Sequence, residues 1–252
     1  MRDRLADAWL DANIRLVRAN PKGWYAEQGD AVALVNECGI SELNMAASIA
    51  VAPELAALDA MAAELAGSGV PWSVLVRAEA ADAVAGLAAR HGLTNRHDVV
   101  MMVCTAGDAM LDADDDALRS VQRVGSAASD AYATALAGGF EIPTTMLGSM
   151  VDGGVLDAAG FAAYLATVDG QPVASGLGVD GAGVVGVYNI AVVPPLRRRG
   201  LGRAMTAKVM ADGFAGGADT AYLQASTAGR ALYESMGFRR IDAWTRFTKG
   251  DE

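Results

Sequence analysis

The chain has 252 residues, 52% of them hydrophobic and 20% charged, with only two cysteines and a formal net charge of -10; a disordered chain and a disulfide-stapled fold are both excluded. Positive charge collects at one end, since residues 1 to 195 hold 10 basic and 24 acidic side chains whereas residues 196 to 252 hold 10 and 6. An anion is expected at the last quarter and cationic or neutral partners elsewhere, and nucleic acid fits poorly because a duplex binder carries its basic stripe over a whole domain.

The first residues mix charges and lack the apolar block of a signal peptide, and no apolar run is long enough to span a bilayer, so a cytoplasmic protein without membrane contact is expected. Residues 31 to 36 and 43 to 51 read as strands. Pro53 then opens an Ala-rich helix with Leu55, Leu58, Met61 and Leu65 at helical spacing. A strand at 72 to 76, a helix at 80 to 91 stopped by Gly92, and a strand near 99 to 103 complete an alternating first half. The acidic run Asp112, Asp114, Asp115 and Asp116 reads as a linker or helix start, without calcium-loop spacing.

Beyond it, 116 to 136 is periodic and helical, Gly138 and Gly139 end it, and Pro143 starts a short helix toward Met150. Strands at 160 to 168 and 172 to 179 form a hairpin, and a third at 184 to 193 is stopped by Pro194 and Pro195. Helical spacing returns at 201 to 214, then a strand at 218 to 225, a helix at 227 to 236 capped by Gly237, and a last extended segment from 238 to 248. The pattern predicts an α/β fold of the α+β kind, with a mixed, mostly antiparallel central sheet flanked by helices. An internal echo, "WSVLV" to "LAARHGL" against "AYLQA" to "LYESMGF", points to a tandem chain with domains at 1–110 and 111–252. The first copy has Ala88 where the second has Tyr233, and it has no arginine-glycine loop.

That loop is "VVPPLRRRGLGRA", residues 192 to 204. It follows a strand and opens a helix, where amides without internal partners and the macrodipole favour an anion. Gly200 and Gly202 bare the backbone, and Arg197, Arg198, Arg199 and Arg203 can add charge-assisted bonds to phosphate oxygens. Neither the nucleotide-triphosphate loop nor the dinucleotide Gly-x-Gly-x-x-Gly pattern is present.

Together "VYNIAVVPPLRRRGLGRAMTAKVM" and, some thirty residues on, "AYLQASTAGRALYESMGF" resemble the central strand, coenzyme loop and tyrosine helix of the GCN5-related N-acetyltransferase (GNAT) superfamily. The resemblance covers residues 117 to 248 and reaches the first 110 only weakly, as a degenerate copy. It implies the GNAT fold and acetyl-CoA as co-substrate. It implies further that the backbone of Ile190, Ala191 and Val192 pairs with the pantetheine arm and that amides from Arg198 through Gly200, Leu201 and Gly202 to Arg203 hold the pyrophosphate. By the same resemblance Arg197 stands on the loop pattern, Ser226 takes the place of an Asn at the next helix start, and Tyr233 protonates the departing thiolate.

The sequence departs from the family where several members place a carboxylate, since position 224 is Gln; the base is a water relay or a remote acid such as Glu141 or Asp152. The expected reaction is direct transfer to a primary amine of a small molecule or peptide, cationic or polyamine-like acceptors suiting an acidic body. The alternative is an acyl-CoA-binding or assembly module without turnover. The first half would serve as scaffold, as a wall of the acceptor site or as a homodimer surface.

Overall fold

Helix α1, Arg2–Ala19, opens the chain and buries Leu5, Trp9, Ala12, Asn13 and Val17 along one face. The expectations from sequence began only at residue 31, so this helix and strand β1, Trp24–Gln28, are additions. The computed structural model describes residues 1–250. Strand β2 (Ala31–Val35) returns from β1 through a two-residue turn, followed by β3 (Met45–Ser48), helix α2 (Leu55–Ala66), β4 (Ser73–Arg77), α3 (Ala81–Arg90) and β5 (Asn95–Thr105). After a linker come α4 (Asp115–Ser120), β6 (Val121–Val124), α5 (Ser129–Phe140), β7 (Phe161–Val168), β8 (Gln171–Gly181) and β9 (Val184–Val192). Helix α6 (Leu201–Ala215), β10 (Thr220–Ala225), α7 (Arg230–Glu234) and β11 (Arg239–Thr248) end the described chain.

The strands form one eleven-stranded sheet in the order β1-β2-β3-β4-β11-β5-β10-β9-β8-β7-β6. Two units run through the same sequence of elements: α1-β1-β2-β3-α2-β4-α3-β5, then α5-β7-β8-β9-α6-β10-α7-β11. Each unit sends its last strand into the other. Strand β5 pairs with β10 and β11 with β4, and the two exchanged strands pair with each other. The sheet therefore runs on across the expected boundary between 110 and 111.

Strand alternation sorts the helices. Val32, Leu34, Leu75, Met101, Val184 and Tyr222 point to the face covered by α1, which α5 continues over β8 and β9. Val74, Val76, Met102, Val185, Val187 and Leu223 point to the opposite face, under α2 and α3 in the first unit and α4, α6 and α7 in the second. Helix α1 is tied to the second unit by Arg15, which donates to the carbonyl of Asp180 at 2.8 Å, and by Arg4, which donates to that of Gly183 at 3.0 Å. Among the described residues no helix is long and apolar enough to cross a membrane.

Four expectations need correction. The helix expected over 116 to 136 is interrupted by β6, because Val121 and Val124 complete the sheet edge beside β7 and that pairing outweighs helical periodicity. Gly138 and Gly139 do not end a helix; they lie in the last turn of α5, where a Cβ on Gly139 would stand 2.6 Å from that of Ala191. They let α5 approach the β9 backbone. From 143 to 150 the chain makes only a 3-10 turn at Thr144–Leu147, and α7 is shorter than the expected 227 to 236.

Candidate active site

Strands β9 and β10 start as a parallel pair and then part. Their register holds for Val184, Val185 and Gly186 against Thr220, Ala221 and Tyr222, and stops there. Strand β10 runs on against β5 to Ala225, while β9 runs on against β8 to Val192. The backbone of β9 beyond Gly186 therefore faces an opening wedge on its β10 side, where its half-buried N–H and C=O groups are left for water or a ligand to pair with.

A bulge turns β9 away. Leu177 pairs with Tyr188 but Ser175 pairs with Ala191, so Asn189 and Ile190 stand where β8 offers one residue. Asn189 takes the left-handed conformation with φ +54°, which asparagine tolerates, and its carbonyl accepts a bond from Ser175 Oγ at 3.0 Å. At the closed end of the wedge the phenols of Tyr188 and Tyr222 share a hydrogen bond of 2.8 Å. Burial raises both well above the usual phenol range and keeps them neutral.

At the open end, Pro194–Leu196 makes a 3-10 turn and Gly200, at φ +81°, turns the chain into α6. The first backbone bond of α6 runs from the Ala204 amide to the Gly200 carbonyl, so the amides of Leu201, Gly202 and Arg203 come before any helical partner. The arginines divide their work. Arg197 donates to the carbonyls of Val192 at 3.1 Å and Gly139 at 2.8 Å and pairs with Glu141 at 2.8 Å, which pins the turn to α5. Arg203 donates to the carbonyl of Asp112 at 2.6 Å and to Ser235 Oγ at 2.9 Å, clamping the linker and α7 to α6. Arg198 and Arg199 are exposed and, among the described residues, have no side-chain partner. Of the four arginines of this turn, these two keep their guanidinium groups free for an anion. In the acidic run next to them, Asp114 caps the Ala117 amide and Asp115 and Asp116 share Arg119.

Between these ends the lining is small. A Cβ on Gly202 would point between Val192 of β9 and Leu232 of α7, at 3.7 and 3.5 Å, so the missing side chain leaves a gap between the two lips. Tyr233 is buried beneath, edge-on to Phe238 and against Gly229. Its hydroxyl makes no hydrogen bond among the described residues and is not sealed from solvent. Burial pushes this phenol up to about 12. Ser226 Oγ accepts from the Gly229 amide at 3.2 Å and caps the turn that presents Tyr233.

The structure thus brings Ile190, Ala191, Val192, Arg198, Arg199, Gly200, Leu201, Gly202 and Tyr233 around one wedge, with Arg197, Arg203 and Ser226 holding its frame. Glu141 is ion-paired at the arginine end and Asp152 is exposed in the turn after Met150. Two features go beyond the sequence reading, which took Gln224 only as the place of a missing carboxylate. Gln224 carries a buried Nε2 with no acceptor, a donor waiting beside the wedge, and the tyrosine pair closes its apex. Register across the sheet places both, and one strand's sequence does not carry it.

Residues 159–240 match a family model described as "Acetyltransferase (GNAT) domain". Among solved structures, a GCN5-related N-acetyltransferase from Kribbella flavida is 20% identical with a TM-score of 0.69, covering 100% of this chain and 96% of that one. A putative GNAT-family acetyltransferase from Novosphingobium aromaticivorans is 18% identical with a TM-score of 0.61, covering 95% and 99%. A GCN5-related glucosamine N-acetyltransferase region of a fungal multi-domain beta-N-acetylglucosaminidase is 12% identical with a TM-score of 0.60, covering 98% of this chain and 36% of that one. No curated protein matches the chain.

Proposed function

Starting from a chain that shares the fold of GCN5-related N-acetyltransferases and matches a GNAT domain model at residues 159–240, we propose that it transfers the acetyl group of acetyl-CoA directly to a primary amine. The domain match supports acyl transfer in general; the donor, acceptor and residue roles are the proposal. The observation that supports it most is the parting of β9 from β10, which leaves an unpaired strand edge running from the Tyr188 bulge to the arginine-glycine turn.

The residues suit that donor. An amide-rich arm could add to the β9 edge at Ile190, Ala191 and Val192 as a strand would, and the orphaned Gln224 amide offers it a donor. The amides from Arg198 to Arg203 and the free guanidinium groups of Arg198 and Arg199 suit its diphosphate, and the Gly202 gap leaves room for it. When bound, acetyl-CoA supplies the activated acyl group. Tyr233, whose phenol burial pushes up to about 12, stays protonated at neutral pH and can hand its Oη proton to a sulfur anion. The chain contributes chiefly positioning. Two GNAT-like units, the first without the chemistry, follow from the same reading.

Thiol release measured with a panel of amines, alongside coenzyme binding by calorimetry, tests this. Replacing Tyr233 with Phe should lower turnover about 100-fold with coenzyme affinity unchanged. Tight coenzyme binding without thiol release for any amine, and no effect of Tyr233→Phe, would instead establish a binding module.

A further inference from the structure

On the face of the sheet opposite α6, a cavity of about 40 Å³ lies between α1 and strands β7, β8 and β9, reaching Tyr188 and Asn189 at the start of the β9 bulge. Tyr188 and Asn189 of its lining lie on β9 beyond Gly186, where β9 has lost its β10 partner, so the cavity borders the wedge on the face opposite the arginine-glycine turn. Its wall is shared between the units: Leu16 and Asn13 come from α1, and Phe161, Leu177 and Met150 from the second. No charged side chain lines it.

Its two amides are oriented alike. Asn13, only 9% exposed, spends its Nδ2 on the Trp9 carbonyl at 2.8 Å, and Asn189 spends its Nδ2 on the Tyr132 hydroxyl at 3.3 Å. Neither Oδ1 has a partner among the described residues, and neither is sealed from solvent. Two acceptor oxygens in an apolar pocket call for N–H donors. A water needs about 10–15 Å³ and drug-sized ligands about 300–1,000 Å³, so about 40 Å³ takes a group of a few carbons. A second ammonium would be buried without a counter-charge.

We infer that this pocket selects the acyl acceptor, a small aliphatic monoamine whose N–H groups are held by Oδ1 of Asn13 and Asn189, with the first unit's α1 as a specificity-determining wall. This rests on the acyl-transfer reading. It narrows the acceptor away from the polyamine-like molecules that net charge alone suggests; the acidic surface still steers a protonated monoamine toward the site.

Isobutylamine, putrescine and glucosamine serve as probes, with two readouts: thiol release with acetyl-CoA, and ligand-observed NMR of each amine with coenzyme-free protein. Wild type should use isobutylamine best. Asn13→Leu should raise its KM about tenfold with kcat within about twofold, and abolish its saturation-transfer signal. Asn13→Asp, which adds a counter-charge, should move the preference to putrescine. The inference is overturned if putrescine or glucosamine is the best wild-type acceptor, or if folded Asn13→Leu keeps both KM and the binding signal. Asn13-dependent isobutylamine binding without thiol release from any amine would support the pocket and sink the transfer reading.

Discussion

The two units place the same elements around β3-α2 and β9-α6, yet only one junction is open. Strand β3 pairs with β4 from Met45 to Ser48 and ends where that pairing ends, whereas β9 continues six residues past its last partner on β10. At the start of α2 the anion is already supplied by the protein: both Asp30 carboxylate oxygens accept from the Glu54 amide, at 3.1 and 3.2 Å, and Glu54 itself stands at the cap position that Gly200 holds in α6. Downstream the units agree to the hydrogen bond. The Leu93 amide donates to Ala88 at 3.0 Å and the Phe238 amide to Tyr233 at 3.1 Å, around Gly92 and Gly237 with φ +76° and +93°. What separates the two junctions is thus a strand overhang, an unfilled helix start and one phenol in place of a methyl group. The backbone geometry is shared.

Substitutions at matched positions sharpen this contrast. The largest effect is expected at the second residue of each helix. Gly202→Ile should close the gap between Val192 and Leu232 and weaken coenzyme binding about 100-fold by calorimetry, whereas Ala56→Ile, exposed in α2, should leave it unchanged. Arg199→Ala should cost only about threefold, because an exposed guanidinium contributes about 1 kcal/mol or less. Equal losses for Gly202→Ile and Arg199→Ala would show that side chains, and not amides, hold the diphosphate.

The helix caps come next. Gly92→Ala should destabilise by about 1 kcal/mol, the strain of a left-handed alanine, since nothing lies within 4 Å of the added Cβ. Gly237→Ala should cost about 3 kcal/mol or more in urea unfolding, because its Cβ would meet the Asp108 carbonyl oxygen at 2.2 Å. Similar values would mean that the tighter packing beneath the tyrosine helix contributes nothing.

A smaller effect is expected in alkali. Tyr132, Tyr164, Tyr188, Tyr222 and Tyr233, all in the second unit, are raised above the ordinary value of 10, mainly by burial. The folded state therefore keeps phenolic protons that the unfolded chain releases from about pH 10 upward. Stability is fully present below that pH and declines above it. Tm should hold steady to pH 9 and drop by a few degrees by pH 10.5, with the tyrosinate absorbance of these five side chains rising only as the chain unfolds.

Much of the second unit was legible because short-range chemistry writes it. Pro194 and Pro195 cannot continue a ladder, Gly200 and Gly237 supply left-handed turns, and Asp169 with Gly170 closes the β7-β8 hairpin with φ +52° and +75°. Where long-range pairing competes with local pattern, local pattern lost, as at β6. The first unit's α1 went unread although Leu5, Trp9, Ala12 and Val17 have helical spacing, because its charged face masks the stripe.

By itself the sequence determined that a glycine-opened, arginine-rich turn would lead into α6, that a tyrosine would follow on a short capped helix, and that the chain would repeat an α/β pattern. These depend on residues within a few turns of one another. Only the tertiary structure decided that the units exchange their last strands, that Arg197 and Arg203 are spent on carbonyls while Arg198 and Arg199 stay free, and that α1 walls the far side of the wedge. Those outcomes depend on which distant backbone groups are left unpaired once eleven strands have found their neighbours.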